Sequence, residues 1–163
     1  VLKKNSGNKN ISSYKEIPYF LPQRAKLSKR PVVVGFGPAG MFAALYLAQC
    51  GVRPIVLERG LDVDSRKEKV RMFWEKGILD TECNVQFGEG GAGTFSDGKL
   101  NTGINDERIK FVLETFVKFG AAENILYDAK PHVGTDVLRK VIKNIRNEII
   151  SLGGEIKFNS KFF

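Results

Sequence analysis

The sequence has few cysteines, a single histidine and no long apolar segment. Its only cysteines are Cys50 and Cys83, and they lack the spacing of metal ligands, so we expect a reduced, cytoplasmic protein without a metal site. The longest apolar run, MFAALYLA, is too short to cross a bilayer, and the amino-terminal residues lack the apolar segment of a signal peptide. These absences argue against a membrane partner.

Acidic residues are nearly absent from the first thirty positions, which contain eight Lys or Arg residues and one acid. This segment therefore carries +7 of the net charge of +8, and we divide the chain into a basic lead-in segment, 1–30, and a domain, 31–163. A basic segment can contact anionic partners. Its aromatic residues are limited to Tyr14, Tyr19 and Phe20, and it has no recognition motif, so solvated chain is the simpler interpretation and nucleic acid is not an expected partner.

Residues 31–58 have the pattern of a strand, a helix and a second strand. PVVVGFG is a β-branched run that ends in glycine, as a buried parallel strand does. PAGMFAALYLAQCG follows with proline in its first turn and Gly51 as its stop, which predicts a helix. RPIVLE is a second buried strand, and short turns join the three elements. The sequence therefore predicts an α/β fold with a Rossmann-type βαβ unit and a parallel sheet.

Three further helices and one more strand are predicted beyond the βαβ unit. The helices cover 62–76, 106–119 and a segment that begins near Thr135, which we expect to be its cap. In the first of them the apolar positions are Val63, Val70, Phe73 and Trp74.

The third of these helices is amphipathic and is followed by the predicted strand. Its apolar positions are Leu138, Val141, Ile142, Ile145 and Ile149, and its basic positions are Arg139, Lys140, Lys143 and Arg146. The basic set is either an anion site or, more simply, a solvated face. The final segment, EIKFNSKFF, predicts a strand with Ile156, Phe158 and Phe162 on one side.

A G-x-G-x-x-G pattern lies at the predicted turn between the first strand and the helix. Protein kinases share this spacing, but here Glu58 ends the next strand, 23 residues after Gly35, which is the context of a dinucleotide-binding turn. Gly35 permits the tight turn, Gly37 admits a pyrophosphate and Gly40 allows close helix packing. Glu58 is expected to accept hydrogen bonds from ribose hydroxyls and to repel a 2′-phosphate, which disfavours NADP. A βαβ unit that binds nothing is the alternative, but it leaves Gly37 unexplained.

The candidate contacts of this turn include the neighbours of the three glycines. Arg59, beside Glu58, contacts either the adenosine side of a dinucleotide or only solvent. The candidate residues are Gly35, Gly37, Pro38, Ala39, Gly40, Glu58 and Arg59.

A second glycine cluster, FGEGGAGTFSDGKL, has five glycines in fourteen residues. Glycine loses much conformational freedom on folding, so such a loop needs a reason. A flexible linker is polar throughout, whereas this segment contains Phe87, Phe95 and Leu100. We therefore expect a loop, 87–103, whose backbone lies close against another group.

Three segments resemble the FAD-dependent proteins of the NAD(FAD)-utilising dehydrogenase group, within the glutathione-reductase-like two-dinucleotide-binding superfamily. They are VVVGFGPAGMFAALYLAQCGVRPIVLERG, FGEGGAGTFSDGKL and PHVGTDVLR, and the similarity runs from about Pro31 to Phe162. The resemblance implies that the βαβ unit binds the ADP half of FAD. It also implies that the glycine-rich loop follows the pyrophosphate, ribityl chain and flavin, with NAD(H) as an electron partner of the full-length protein.

The resemblance assigns candidate cofactor contacts to the glycine-rich loop. Backbone approach is expected at the glycines, hydroxyl or carboxylate contacts at Thr94, Ser96 and Asp97, and a contact with the flavin pyrimidine edge or a phosphate at Lys99. Lys99 is equally well explained as a surface lysine, and Asp97 as a cap of the turn at Gly98. The candidates are Gly90, Gly91, Ala92, Gly93, Thr94, Ser96, Asp97, Gly98 and Lys99.

Histidine and cysteine are weaker candidates for catalytic residues. His132 is a minor acid–base candidate, although a structural hydrogen bond is the commoner use of such a residue. The two cysteines do not form the C-x-x-C of disulfide reductases, which disfavours thiol exchange through that motif. The catalytic residues and the small-molecule substrate remain unassigned.

The resemblance also sets expectations for the extent of the domain. Such flavoproteins are several times longer, and a Rossmann-type sheet usually has five or more strands where this sequence predicts about three. We therefore expect a fragment, incomplete at its carboxyl end, that includes the start of an inserted helical region. The expected function is the FAD-binding portion of a flavin-dependent oxidoreductase. The alternatives are a non-catalytic truncated dinucleotide-binding module and a tRNA-modifying flavoprotein.

Overall fold

A computed structural model describes residues 7–13 and 27–163. Its fold is mixed α/β around a three-stranded sheet, in the order β1 (Val32–Val34), β2 (Ile55–Leu57) and β3 (Glu155–Lys157). Both strand pairs are parallel. The predicted α/β class and its parallel, Rossmann-like βαβ unit are confirmed.

Helix α1, Pro38–Gln49, connects β1 to β2 and packs on the sheet. Proline at its start suits the fixed φ of a first helical turn. The helix ends before Gly51, whose φ of +78° belongs to the left-handed region that favours glycine. Short turns on both sides of one helix are what bring two strands side by side in parallel.

Three more helices follow, and each lies where the sequence predicts a helix. They are α2 (Val63–Lys76), α3 (Arg108–Lys118) and α4 (Thr135–Ser151), and short 3₁₀ helices occupy Ala92–Phe95 and Glu123–Leu126. Within the described ranges, none of the helices combines the length and apolar character needed to cross a membrane.

The core lies between the sheet and the pair α1 and α4, which contact each other. Burying one aliphatic side chain stabilises a fold by about 1.5–3 kcal/mol, so an apolar helix face can fix the position of a whole helix. The predicted apolar face of α4 is buried as a set: Leu138, Val141, Ile142, Ile145 and Ile149.

The prediction for the cap of α4 is wrong. Thr135 does not cap α4, because Gly134 precedes the helix and no side chain makes the cap hydrogen bond. On α2 the side chains of Phe73 and Trp74 are exposed, and Arg66 is buried between Val63 and Val70 instead. The apolar period thus located the helix but not the residues of its buried face.

The predicted carboxyl-terminal strand is shorter than its alternating pattern suggests. Ile156 and Phe158 pack on the core, but Phe162 is 65% exposed. The amides of Asn159 and Ser160 donate to the carbonyls of Gly60 and Glu58, at distances of 2.9 Å. These bonds draw the chain across the end of β2, and β3 ends before them.

The basic lead-in segment is only partly described. Residues 1–6 and 14–26 lie outside the described residues, and the prediction for Tyr14, Tyr19 and Phe20 falls there.

Candidate functional site

A cavity of about 340 Å³ opens at the carboxyl ends of β1 and β2. In open α/β sheets, this edge is where ligands bind. Most of the lining comes from four segments: the first glycine turn, the end of β2, the start of the glycine-rich loop and the chain after β3. The lining includes Gly37, Glu58, Arg59, Gly88, Gly91 and Lys161.

The three glycines of the first turn have different structural reasons to be glycine. Gly35 has a φ of +90°, which a side chain rarely tolerates. A Cβ atom on Gly40 would overlap the carbonyl oxygen of Gly35, so the helix packs against the turn only with glycine there. Gly37 has an ordinary φ of −72°, and a Cβ atom on it would have only the Cα atom of Gly91 nearby, at 3.9 Å. The fold therefore requires two of the glycines but not Gly37, which lines the cavity.

Glu58 is buried at the end of β2 and fastens two turns together. Its Oε2 atom accepts a hydrogen bond from the amide of Phe36 at 2.6 Å, and its Oε1 atom accepts one from the amide of Gly60 at 2.8 Å. A carboxylate has about four acceptor positions, so each oxygen retains acceptor capacity. The side chain also lines the cavity, and it could therefore accept further hydrogen bonds from a ligand there.

Arg59 is held by its neighbours on the rim of the cavity. Its guanidinium carbon lies 3.9 Å from the centre of the Phe87 ring, and it forms an ion pair with Glu82 at 2.7 Å. Lys161 pairs with the same carboxylate at 2.9 Å. Contact with solvent alone, one of the two predicted alternatives, is therefore wrong. The guanidinium has a fixed orientation beside the cavity.

The glycine-rich loop lies directly against the first glycine turn. The amide of Gly90 donates to the carbonyl of Phe36 at 2.9 Å. A Cβ atom on Gly91 would lie 2.9 Å from the Cδ atom of Pro38, so only glycine allows this approach. The structure thus brings together two glycine clusters that are some fifty residues apart in the sequence.

Most glycines of this loop are required by the conformation of the loop itself. Gly88, Gly90, Gly91 and Gly98 have φ values of +117°, +81°, +65° and +77°. Added Cβ atoms on Gly90 and Gly98 would also overlap atoms of the protein. Gly93 has neither constraint. The loop's glycine content is therefore largely explained without a ligand.

Several loop candidates use their polar groups within the protein. Thr94 is fully buried and its hydroxyl lies 3.5 Å from the carbonyl of Glu89. The Ser96 hydroxyl donates to the Gly93 carbonyl and accepts from the Gly98 amide, so Ser96 holds the turn at Gly98. The cavity lining does not include the following candidates: Pro38, Ala39, Gly40, Gly90, Ala92, Gly93, Thr94, Ser96, Asp97, Gly98 and Lys99.

Asp97 and Lys99 form an exposed ion pair at 2.7 Å. The ion pair lowers the pKa of Asp97 and raises that of Lys99, so both are charged near neutrality. His132 lies across from them, with its Nε2 atom 2.6 Å from the carbonyl oxygen of Asp97. Lys99 and His132 also form an isolated antiparallel bridge. His132 thus makes the structural hydrogen bond that was the alternative to acid–base chemistry.

The sequence did not predict a buried ionic cluster beneath the glycine-rich loop. Glu89 is fully buried, and its Oε2 atom accepts hydrogen bonds from the amide of Val63 at 2.7 Å and from Nη1 of Arg146 at 2.9 Å. Burial raises the pKa of Glu89 to about 7. Arg146 is 16% exposed, so the solvated-face interpretation is wrong for this member of the basic set on α4.

Arg66 supports the same loop from α2. It donates to the carbonyls of Asn84, Val85 and Glu89 at 2.8, 2.7 and 2.6 Å. Burial lowers the pKa of Arg66 to about 10, so the guanidinium remains charged near neutrality. Its position three residues after Val63 and four before Val70, on the buried face, is the signal that could have found it.

Comparisons with known proteins give two partial similarities, and no protein-family model matches the chain. An uncharacterized protein of Clostridium beijerinckii is 58% identical over 156 residues, which is 94% of this chain and 29% of that protein. A protein of Claviceps purpurea named as a monooxygenase is 34% identical over 99 residues, 61% of this chain and 13% of that protein. The chain thus resembles part of a much longer bacterial protein and, over a shorter stretch, part of a fungal protein named as a monooxygenase.

Proposed function

We propose that this chain is the FAD-binding portion of a flavin-dependent oxidoreductase. The observation that carries the proposal is Gly37, because the protein gives it no reason to be glycine. Its φ is ordinary, a Cβ atom would meet no close atom, and the residue faces a cavity at the carboxyl edge of the sheet. A ligand that needs the bare backbone at this point explains the residue, and a pyrophosphate at a strand–helix turn is such a ligand.

The surrounding groups suit a dinucleotide. The first amides of α1 have no partner within the helix, and together with the helix dipole they favour an anion. Glu58 has acceptor capacity for ribose hydroxyls, and its charge disfavours a 2′-phosphate. Gly88 and Gly91 offer backbone rather than side chains on the opposite wall.

The proposal of FAD, rather than NAD, rests on the resemblance of the glycine-rich loop to flavoproteins. A bound flavin would supply the redox chemistry, and this chain's residues would bind and orient it. The name of the Claviceps protein supports the oxidoreductase class. In this proposal NAD(H) enters only as an electron partner of a longer protein.

Thermal melting with added nucleotides tests the proposal. A ligand that binds the folded state raises the Tm, by mass action. We expect FAD to raise the Tm of this chain and of the longer Clostridium relative, and NADP to raise it least. A cooperative transition that FAD leaves unchanged in both proteins would contradict the proposal.

A further inference from the structure

Glu89 is a fully buried carboxylate where three elements meet. It belongs to the glycine-rich loop, it accepts from Val63 at the start of α2, and it pairs with Arg146 on α4. Because the three elements are far apart in the sequence, this one side chain joins parts of the protein that no local interaction connects.

The backbone beside Glu89 forms one wall of the cavity. The Glu89 amide donates to the carbonyl of Leu61 at 3.0 Å, and the next amide, of Gly90, donates to Phe36. Gly88 and Gly91, on either side of this pair, line the cavity, and Gly91 lies opposite Gly37. A displacement of Glu89 would therefore move the wall that faces the first glycine turn.

The second oxygen of Glu89 makes the residue hard to explain by stability. Among the described residues, no group donates a hydrogen bond to its Oε1 atom. Burying an ion pair often stabilises a fold less than apolar residues of the same volume, and an unpaired buried oxygen adds a further cost. A role other than stability accounts for a carboxylate at this position.

We propose that Glu89 is a positioning residue of the cleft: its buried carboxyl group, held by Val63 and Arg146, fixes the Gly88–Gly91 wall, so that affinity for the cleft ligand falls when Glu89 ionises. The identity of that ligand as FAD rests on the proposed function. The effect of Glu89 on the Gly88–Gly91 wall is independent of which ligand binds.

Charged groups on every neighbouring element act on this carboxyl. Asp62 and Asp64, at the start of α2, oppose its ionisation, and Arg146 on α4 favours it. Lys143 on α4 forms an ion pair with Asp64 at 2.7 Å. The positive charge of Lys143 offsets part of the effect of Asp64 on the ionisation of Glu89. Arg66 on α2 also favours the ionised form of Glu89.

The pH range of the effect follows from this environment. Burial is the largest influence and raises the pKa of Glu89 to about 7, so both forms are populated near neutrality. Because burial disfavours the charge, ionisation favours arrangements that expose the carboxylate to water. The wall should therefore be fixed below about pH 7 and loosened above it.

The test compares the wild-type chain with Glu89→Gln, which keeps the shape and cannot ionise. Glu75→Gln, at an exposed site on α2, is the matched control. We expect wild-type FAD affinity to decrease about three- to tenfold from pH 6 to pH 8, with the same profile in the control. Glu89→Gln should hold the low-pH affinity at every pH, and a wild-type profile in this variant would overturn the proposal.

A second variant covers the case in which Glu89→Gln does not fold. Arg146→Gln removes the cation that favours ionisation, so the midpoint of the affinity profile should move to higher pH. An unchanged midpoint would overturn the proposal.

A ligand-free measurement separates this proposal from the proposed function. Backbone ¹⁵N relaxation at Gly90 and Gly91 should show rigid amides in the wild type at pH 6. The amides should be more mobile at pH 8, and rigid in Glu89→Gln at both pH values. If these mobilities are observed but FAD does not bind, the proposal that the ligand is FAD is contradicted and the role of Glu89 is not. FAD binding with wild-type amides that are equally rigid at pH 6 and pH 8 would contradict the role of Glu89 alone.

Discussion

The two glycine clusters meet at the same cleft, but they contain glycine for different reasons. In the loop, Gly88, Gly90, Gly91 and Gly98 have backbone conformations that side chains rarely adopt. In the first turn, Gly37 has an ordinary conformation and open space beside it. The denser cluster is thus largely explained by its own fold, and the sparser one contains the residue that points to a ligand.

The difference shows that glycine content alone is weak evidence for a ligand. A glycine is informative when the fold would accept a side chain at its position and a cavity lies beside it. The unfolding free energy of variants separates glycines and acids that the fold needs from those that it does not.

The largest effect is expected at Gly40, where a Cβ atom would overlap the Gly35 carbonyl. Gly40→Ala should lower the unfolding free energy by about 3 kcal/mol or more, because backbone must move to admit the methyl group. Gly98→Ala, which overlaps the Val133 carbonyl, should cost as much. Urea denaturation measures both, and an unchanged midpoint in either would show that the close contact is not needed.

A somewhat smaller effect is expected from the ionisation of Glu89. Its pKa in the folded protein is raised from 4.5 to about 7, so between these pH values the folded state binds more protons than the unfolded state. The unfolding free energy should therefore fall as the pH rises from 4.5 to 7, by up to about 3 kcal/mol. In Glu89→Gln this part of the pH dependence should vanish. An identical slope in both proteins would contradict the assignment.

Glu58→Gln should have an intermediate effect on two measurements. The amide group of glutamine would face the donor of Phe36 or Gly60, so the unfolding free energy should fall by about 2 kcal/mol. FAD affinity should fall by roughly 1–3 kcal/mol, through loss of charge-assisted acceptor capacity. Calorimetric titration and denaturation separate the two. Loss of stability without loss of affinity would restrict Glu58 to a structural role.

Among the charged positions, Arg59→Ala should change the unfolding free energy and the FAD affinity least. The variant loses a partly exposed ion pair with Glu82 and the stacking on Phe87, together about 1 kcal/mol or less. The same titration checks this outcome. A loss of FAD affinity larger than that of Glu58→Gln would mean that the guanidinium is a main ligand contact.

The sequence predicted local features better than those made by distant contacts. Hydrophobic periods and turn residues located the helices, because those patterns act over one or two turns. The end of β3 was wrong, since bonds from Asn159 and Ser160 to Gly60 and Glu58 decide it. Arg146 was assigned to solvent because its partner, Glu89, is 57 positions away and no local pattern marks the pair.

In the candidate site, too, local sequence patterns were predicted better than features that depend on the folded chain. Glycine spacing and the distance to Glu58 predicted a dinucleotide-binding turn, and a cavity lies beside this turn. The loop glycines were interpreted as sites of close approach to a ligand, whereas positive φ values account for four of them. Backbone conformation of this kind is visible only once the chain is folded.

The most direct test of the central claim replaces Gly37 and one matched glycine. Gly134 also precedes a helix, has a negative φ of −54° and has open space beside it, but it does not line the cavity. Gly37→Ala and Gly134→Ala should both change the unfolding free energy by less than about 1 kcal/mol. FAD affinity should fall at least about tenfold, or 1.4 kcal/mol, in Gly37→Ala alone. Unchanged FAD affinity in a stably folded Gly37→Ala protein would contradict the claim that a cofactor lies on this turn.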